Sequence, residues 1–171
     1  MQELKYLHHY PESTKEQVRK LIANDKLGTH LAKKYPQRHA ITNDKALFSY
    51  VNEYKAKYMK KAPTLSKVLY CGKIHIINNA LGTHHFISRV QGSKLKAKNE
   101  IRVAAMFKNL PEEFLEMIVV HELAHFKEKE HNKAFYSLCT YMQPQYHQLE
   151  FDLRLYLTYV DVSEEVSLIW S

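Results

Sequence analysis

The sequence predicts an α+β fold in which helices pack on a small, mainly antiparallel sheet. Two observations lead there. The hydrophobic period changes from helical to alternating near Leu65 and returns to helical near Asn109. Cap, proline and glycine signals bracket the helical stretches on either side of that middle part. At 45% hydrophobic and 25% charged, with 4 Gly and 5 Pro, the chain has the composition of a globular protein with one substantial core. The expected organisation is a single domain over residues 1–171, with a helical N-terminal part at 1–64, the sheet at 65–108, and further helices at 109–171.

Ser13-Thr14-Lys15-Glu16 has the form of a capping box, and Val18, Leu21 and Ile22 follow at helical spacing up to a break at Lys26-Leu27-Gly28. A second helix is predicted from about Asn43 to Lys61, carrying Leu47, Tyr50, Val51, Tyr54 and Tyr58 on one side, with Pro63 beyond its end. The tyrosine stripe suits core packing, or stacking on bases. Lys67–Cys71 and Lys73–Ile77 suggest a hairpin, and His84–Val90 and Asn99–Phe107 two more strands. In the last of these Ile101, Val103, Ala105 and Phe107 alternate with Glu100 and Arg102, as a half-buried strand requires.

Asn109-Leu110-Pro111-Glu112-Glu113 supplies a cap candidate, an early proline and first-turn carboxylates, and Phe114, Leu115, Ile118, Val119 and Leu123 give the helix that follows an apolar face. That helix ends in His121-Glu122-Leu123-Ala124-His125. Spacing i, i+4 stacks two imidazoles on one face, one turn apart, so both can reach a single tetrahedral cation while the Glu122 carboxylate stands beside them. This is the arrangement of a zinc hydrolase of zincin type, with the motif on its central helix. His131 is a candidate third ligand. In a continuous helix its six-residue offset would rotate it roughly 240° from His125, so the helix has to break between Phe126 and Glu130. Zincins with this spacing usually place Gly at the bend; here Lys127-Glu128-Lys129-Glu130 fills it. The competing reading is a solvated charged helix with a surface histidine. Two helical stretches follow, roughly Asn132–Met142 and Gln145–Val160.

Charge is unevenly spread. Residues 1–70 carry a net +8, residues 71–110 a net +6 and residues 111–171 a net −7, within an overall +7. The basic region 1–110 suits nucleic acid, nucleotides or acidic substrates, and dispersed lysines also keep a fold soluble. Cys71 and Cys139 lack metal-type spacing and do not make a disulfide framework, so they read as buried apolar residues. The first ten residues lack the apolar core of a signal peptide, and no segment approaches the length of a membrane span. A cytoplasmic protein without a membrane partner is expected.

Ser88–Lys98, Met117–Glu128, His131–Tyr136 and Gln145–Asp152 together resemble the YgjP-like family of bacterial metal-dependent hydrolases, and the likeness extends over nearly the whole chain. The resemblance implies a minimal zincin-like domain, related to peptidases that include those acting on DNA-bound proteins. It further implies one zinc ion on His121, His125 and His131, with Glu122 catalytic. Broader relatives carry a Trp-Gly-Ser-Cys-Ser segment where this chain has Arg89-Val90-Gln91-Gly92-Ser93-Lys94, so their substrate contacts do not carry over. Members are also described as nucleoside triphosphate pyrophosphatases with UTP as substrate.

The main expectation is therefore a zinc-dependent hydrolase of metallopeptidase type, with Glu122 as general base. The alternative is a UTP pyrophosphatase, and a third class is a nucleic-acid-binding module with a structural metal, which would not need Glu122. Peptide hydrolysis asks for an oxyanion donor, for which Tyr146, His147 and Tyr136 are candidates beside core or capping roles. Met142 is a candidate floor beneath the metal, or ordinary core. Phosphoanhydride cleavage asks for cations. Lys94, Lys96 and Lys98 fall on one face of an extended run, with Arg89 and Arg102 nearby in sequence, although a lysine-protected edge strand would read the same way.

Overall fold

The computed structural model describes residues 3–73, 82–91, 94–163 and 169–170, with backbone only for 82–91 and 94–98. The architecture is α+β. The described residues form six helices and a three-stranded sheet, on which α3 and α4 pack: α1 (Glu12–Ala23), α2 (Leu27–Lys34), α3 (Asp44–Tyr58), β1 (Leu65–Cys71), β2 (Gly82–Gln91), β3 (Lys94–Ala104), α4 (Glu112–Ala124), α5 (Lys133–Met142) and α6 (Tyr146–Val162).

The sheet corrects the expectation of a mainly antiparallel one. Its order is β1-β3-β2, with β2 antiparallel to β3 and β1 parallel to it, so the sheet is mixed. Alternating hydrophobicity reports which side of a strand is buried and says nothing about the direction of its neighbour. Because β2 folds back on β3, the free edge of β3 is left for β1, which enters parallel with Val68 opposite Ile101 and Tyr70 opposite Val103. The hairpin expected between Lys67–Cys71 and Lys73–Ile77 lies, from residue 74 onward, outside the described residues.

Local starts and stops also differ from their sequence signals. Ser13 does not cap α1, which begins one residue earlier after Pro11. The fixed φ of Pro11 is preorganised for a helix start, and its carbonyl accepts from Thr14 and Lys15 at 3.0 and 3.1 Å. The turn out of α1 is made by Asp25, at φ 52, a left-handed position that Asp tolerates. Gly28, expected as the breaker, lies inside α2, where an added Cβ would meet the Tyr159 ring at 2.8 Å. Asn43 does cap α3, accepting from the Ala46 amide at 2.9 Å. β3 ends at Ala104, and Ala105–Asn109 form a 3-10 turn that buries Phe107, so the strand stops three residues short of expectation.

One continuous cluster of buried residues links the helices to the sheet. Almost every residue of α4 from Phe114 to Ala124 is buried, so this helix runs through the interior, packed by α3, α5, α6, β2 and β3. A helix covered on all sides presents its last turn as a rigid platform. No helix among the described residues is long and apolar enough to cross a membrane. Cys71 and Cys139 are both free thiols; Cys139 is fully buried, and burial pushes it up to about 12.

Candidate metal centre

The site forms at the end of α4. His121 and Glu122 occupy its last turn, and His125 is the C-cap, at φ −65, ψ −13. The chain then leaves the helix without a left-handed residue: the amides of Lys127 and Glu128 both donate to the Ala124 carbonyl at 3.1 Å. That tight right-handed exit explains how the bend forms without glycine. Asn132 closes it from the far side. Its Oδ1 accepts from the Phe135 amide at 2.8 Å, capping α5, and its Nδ2 donates to the Glu128 carboxylate at 3.2 Å.

This folding brings His131 to the other two histidines. Nε2 of His125 lies 3.3 Å from Nε2 of His121 and 3.2 Å from Nε2 of His131. One ligand atom from each of the three lies within 4.8 Å of the others. A tetrahedral cation with bonds of about 2.0 Å to imidazole nitrogens spaces those nitrogens by about 3.3 Å, which is the spacing His125 has to each of the other two. The remaining nitrogens are held from behind: Nδ1 of His125 is 2.9 Å from the Glu128 carbonyl, and Nδ1 of His121 is 2.7 Å from the Tyr146 hydroxyl. A carbonyl only accepts, so His125 carries its proton on Nδ1 and leaves Nε2 bare for a ligand role. Phe135, fully buried, forms a wall against all three imidazoles, with ring centroids 4.9, 4.6 and 4.8 Å from those of His121, His125 and His131.

Electrostatics suit the same purpose. Burial, reinforced by the neighbouring His125, His131 and Arg154, pushes His121 down to about 3, and burial also lowers His125. Neutral imidazoles are what a cation needs. Glu122 is only 1% exposed, its Oε2 has no hydrogen-bond partner, and burial alone pushes its carboxyl up to about 8. An orphaned buried carboxyl oxygen costs about 1–3 kcal/mol. Three converging imidazole nitrogens and one unpartnered carboxyl oxygen beside the end of α4 fit a divalent metal, and an imidazole ligand set suits zinc.

The other candidates are placed as follows. Tyr146 is fully buried, with its hydroxyl 2.7 Å from Nδ1 of His121, so it stands behind that ring, on the side away from the convergent nitrogens. His147 is exposed and lies 5.3 Å from the Tyr136 ring, itself 6.4 Å from that of His131. Met142 belongs to the buried core. Arg102 pairs with Glu100 at 3.0 Å, which engages its charge within β3. Arg89, Lys94, Lys96 and Lys98 lie on the β2–β3 ribbon, where the register sets Arg89 opposite Lys96, Gln91 opposite Lys94 and Ile87 opposite Lys98; their side chains are outside the described residues. Sequence reasoning missed Phe135 and the Glu128 carbonyl. The Asn132 cap was the available sign that α5 starts beside His131.

Comparison with known proteins supplies the family. A family model described as YgjP-like, metallopeptidase domain, matches residues 87–156, a span that contains all three histidines and Glu122. The chain is 58% identical over 164 residues to a protein of Escherichia coli (strain K12) named UTP pyrophosphatase, covering 96% of this chain and 98% of that one. No solved structure matches it significantly. With a relative of such identity over nearly its whole length and a histidine cluster of metal-binding dimensions, the chain belongs to the YgjP-like family and is a metal-dependent hydrolase.

Proposed function

We propose that this protein is a nucleoside triphosphate pyrophosphatase acting on UTP, with zinc held by His121, His125 and His131 and with Glu122 as general base. The observation that carries the reading is the 58% identity, across 96% of the chain, to a protein named UTP pyrophosphatase. It moves the preference away from the metallopeptidase first expected from the motif, because His-Glu-x-x-His chemistry by itself chooses neither a peptide nor a phosphoanhydride. We take residues 1–171 to act as one domain, working in the cytoplasm; the continuous core supports the former.

Each side chain then has a task. The three imidazoles would hold a cation at the end of α4. A divalent ion in that position supplies Lewis acidity toward water and toward a phosphoryl oxygen. Glu122 takes the proton of the attacking water on its unpartnered Oε2 and returns it to the departing phosphate oxygen as the phosphoanhydride bond breaks. Burial raises the Glu122 carboxyl above the ordinary carboxylate range, which favours its taking up a proton. Counter-charge for the triphosphate comes from Arg89, Lys94, Lys96 and Lys98 on the β2–β3 ribbon, whose strands both contact α4.

The test is steady-state pyrophosphate release from UTP. Replacing Lys94, Lys96 and Lys98 together by Gln should raise KM for UTP strongly and leave the metal content unchanged, and added salt should weaken the native protein in the same way. An unchanged KM would remove the ribbon from the phosphate site. A second reading, peptide hydrolysis, has one finding in its favour: the matching family model is described as a metallopeptidase domain.

A further inference from the structure

We propose that Tyr146 is a positioning residue for the metal centre: when a cation is bound, its buried hydroxyl accepts a hydrogen bond from Nδ1–H of His121 and so leaves Nε2 of that ring bare and aimed at the cluster. The proposal rests on the reading that the three histidines hold a cation, and goes beyond it by assigning a residue on another helix the control of one ligand.

The placement is built from several contacts. The turn between α5 and α6 is fixed by the Tyr146 amide on the Gln143 carbonyl at 2.9 Å and by the Gln145 amide on the Gln143 side chain at 2.9 Å. This delivers Tyr146 as the first residue of α6, fully buried, with its ring nearly parallel to that of His121, at 19° and 6.3 Å between centroids. Its oxygen is 2.7 Å from Nδ1 of His121. Glu150, one turn further along α6, is paired with Arg154 at 3.7 Å, which in turn donates to the Tyr6 carbonyl at 3.2 Å. Tyr146 therefore stands on a helix anchored on both sides.

The two Nδ1 partners differ chemically. The Glu128 carbonyl behind His125 can only accept, so His125 has one tautomer whatever occupies the centre. A phenol can accept or donate. With the Tyr146 proton directed at Nδ1, His121 would carry its own proton on Nε2, 3.3 Å from the bare Nε2 of His125, a hydrogen-bonded arrangement open to the metal-free protein. With the phenol accepting, the proton sits on Nδ1 and Nε2 becomes a ligand. Tyr146 lets His121 switch between these tautomers without moving, and Phe135 holds the ring in place meanwhile. Outer-shell hydrogen bonds of this kind orient ligating histidines and raise their basicity.

The experiment measures zinc affinity by competition with a chromophoric chelator, for the native protein, Tyr146→Phe and Tyr136→Phe, the last changing a neighbour whose ring is 6.2 Å from that of Tyr146. Tyr146→Phe should bind zinc about 10–100-fold more weakly, with an unchanged circular dichroism spectrum, while Tyr136→Phe binds as the native protein does. Nitrogen NMR of the native histidine rings gives the second readout: on zinc addition the His121 proton should be found on Nδ1, and His125 should keep its tautomer. Native affinity for zinc in Tyr146→Phe, or His121 protonated on Nε2 in the zinc-loaded native protein, would overturn the role of Tyr146. A native protein that binds no zinc would instead overturn the metal reading itself. If Tyr146→Phe does not fold, the NMR of the native protein decides.

Discussion

Nε2 of His131 stands 3.2 Å from Nε2 of His125, although the two are six residues apart and the segment between them contains no glycine. The turn that makes this possible is held by Glu128 at both ends, through its carbonyl on His125 and its carboxylate on Asn132. Loss of either ligand should therefore be felt locally. His125→Ala and His131→Ala should each lose most bound zinc, measured as metal per chain after gel filtration, with His125→Ala the more severe because its half-buried ring is held at Nδ1 by the Glu128 carbonyl whereas His131 is exposed. Full zinc content in His131→Ala would restore the reading of that residue as a surface histidine.

Glu122→Gln should separate chemistry from assembly. The amide keeps the shape of a side chain that is 1% exposed, removes the proton acceptor and touches no proposed ligand. Turnover should fall by about 10²–10⁴ while zinc content stays at the native level. Zinc content and kcat are both measured on the same preparation, so a fall in both together would mark Glu122 as structural.

Asp152, six residues along α6 from Tyr146 and bonded to none of the three histidines, predicts a loss of stability without a loss of chemistry. It is 1% exposed, accepts from Lys34 at 2.6 Å and from the Tyr35 hydroxyl at 2.5 Å on one oxygen, and from Gln148 at 3.0 Å on the other. Asp152→Ala leaves a buried phenol and a half-covered ammonium without their acceptor, which costs about 3 kcal/mol. Urea unfolding should show that decrease, and kcat per folded molecule should be unchanged.

Alkaline pH should also unfold the protein, through its tyrosines. Burial raises Tyr50, Tyr54 and Tyr70 above the ordinary phenol value. A folded pKa above the unfolded value of about 10 means stability that is complete below pH 10 and lost as pH rises through the folded values, because only the unfolded chain ionises readily there. Thermal midpoints should fall steeply above about pH 10, and less steeply in Tyr50→Phe.

The sequence carried the parts of this molecule that are written locally. The helices expected from about Asn43 and Asn132 do start there, with those side chains as the caps of α3 and α5, and α4 starts at Glu112 with Pro111 rather than Asn109 in the cap position. The grouping of His121 with His125 follows from helical spacing alone. Partners distant in the chain were not legible. Nothing in Lys67–Cys71 states that β1 pairs in parallel with a strand more than twenty residues away, and nothing in Tyr146 states that its hydroxyl lies behind His121. Ser13 had the letters of a cap, yet Pro11 begins α1 because its fixed φ and free carbonyl come first. Gly28 was readable as a breaker, whereas its small size serves the approach of Tyr159 from α6.

The UTP pyrophosphatase reading stands or falls on giving the purified zinc-loaded protein UTP and a mixed peptide library side by side, with Glu122→Gln as the control for contaminating enzymes. That reading requires pyrophosphate release from UTP by the native protein, its loss in Glu122→Gln, and no cleavage of the peptides by either. Peptide cleavage that disappears in Glu122→Gln, with UTP left intact, would contradict it and establish the peptidase; turnover of neither substrate, together with salt-dependent retention on single-stranded DNA, would point to a binding module using the basic region 1–110.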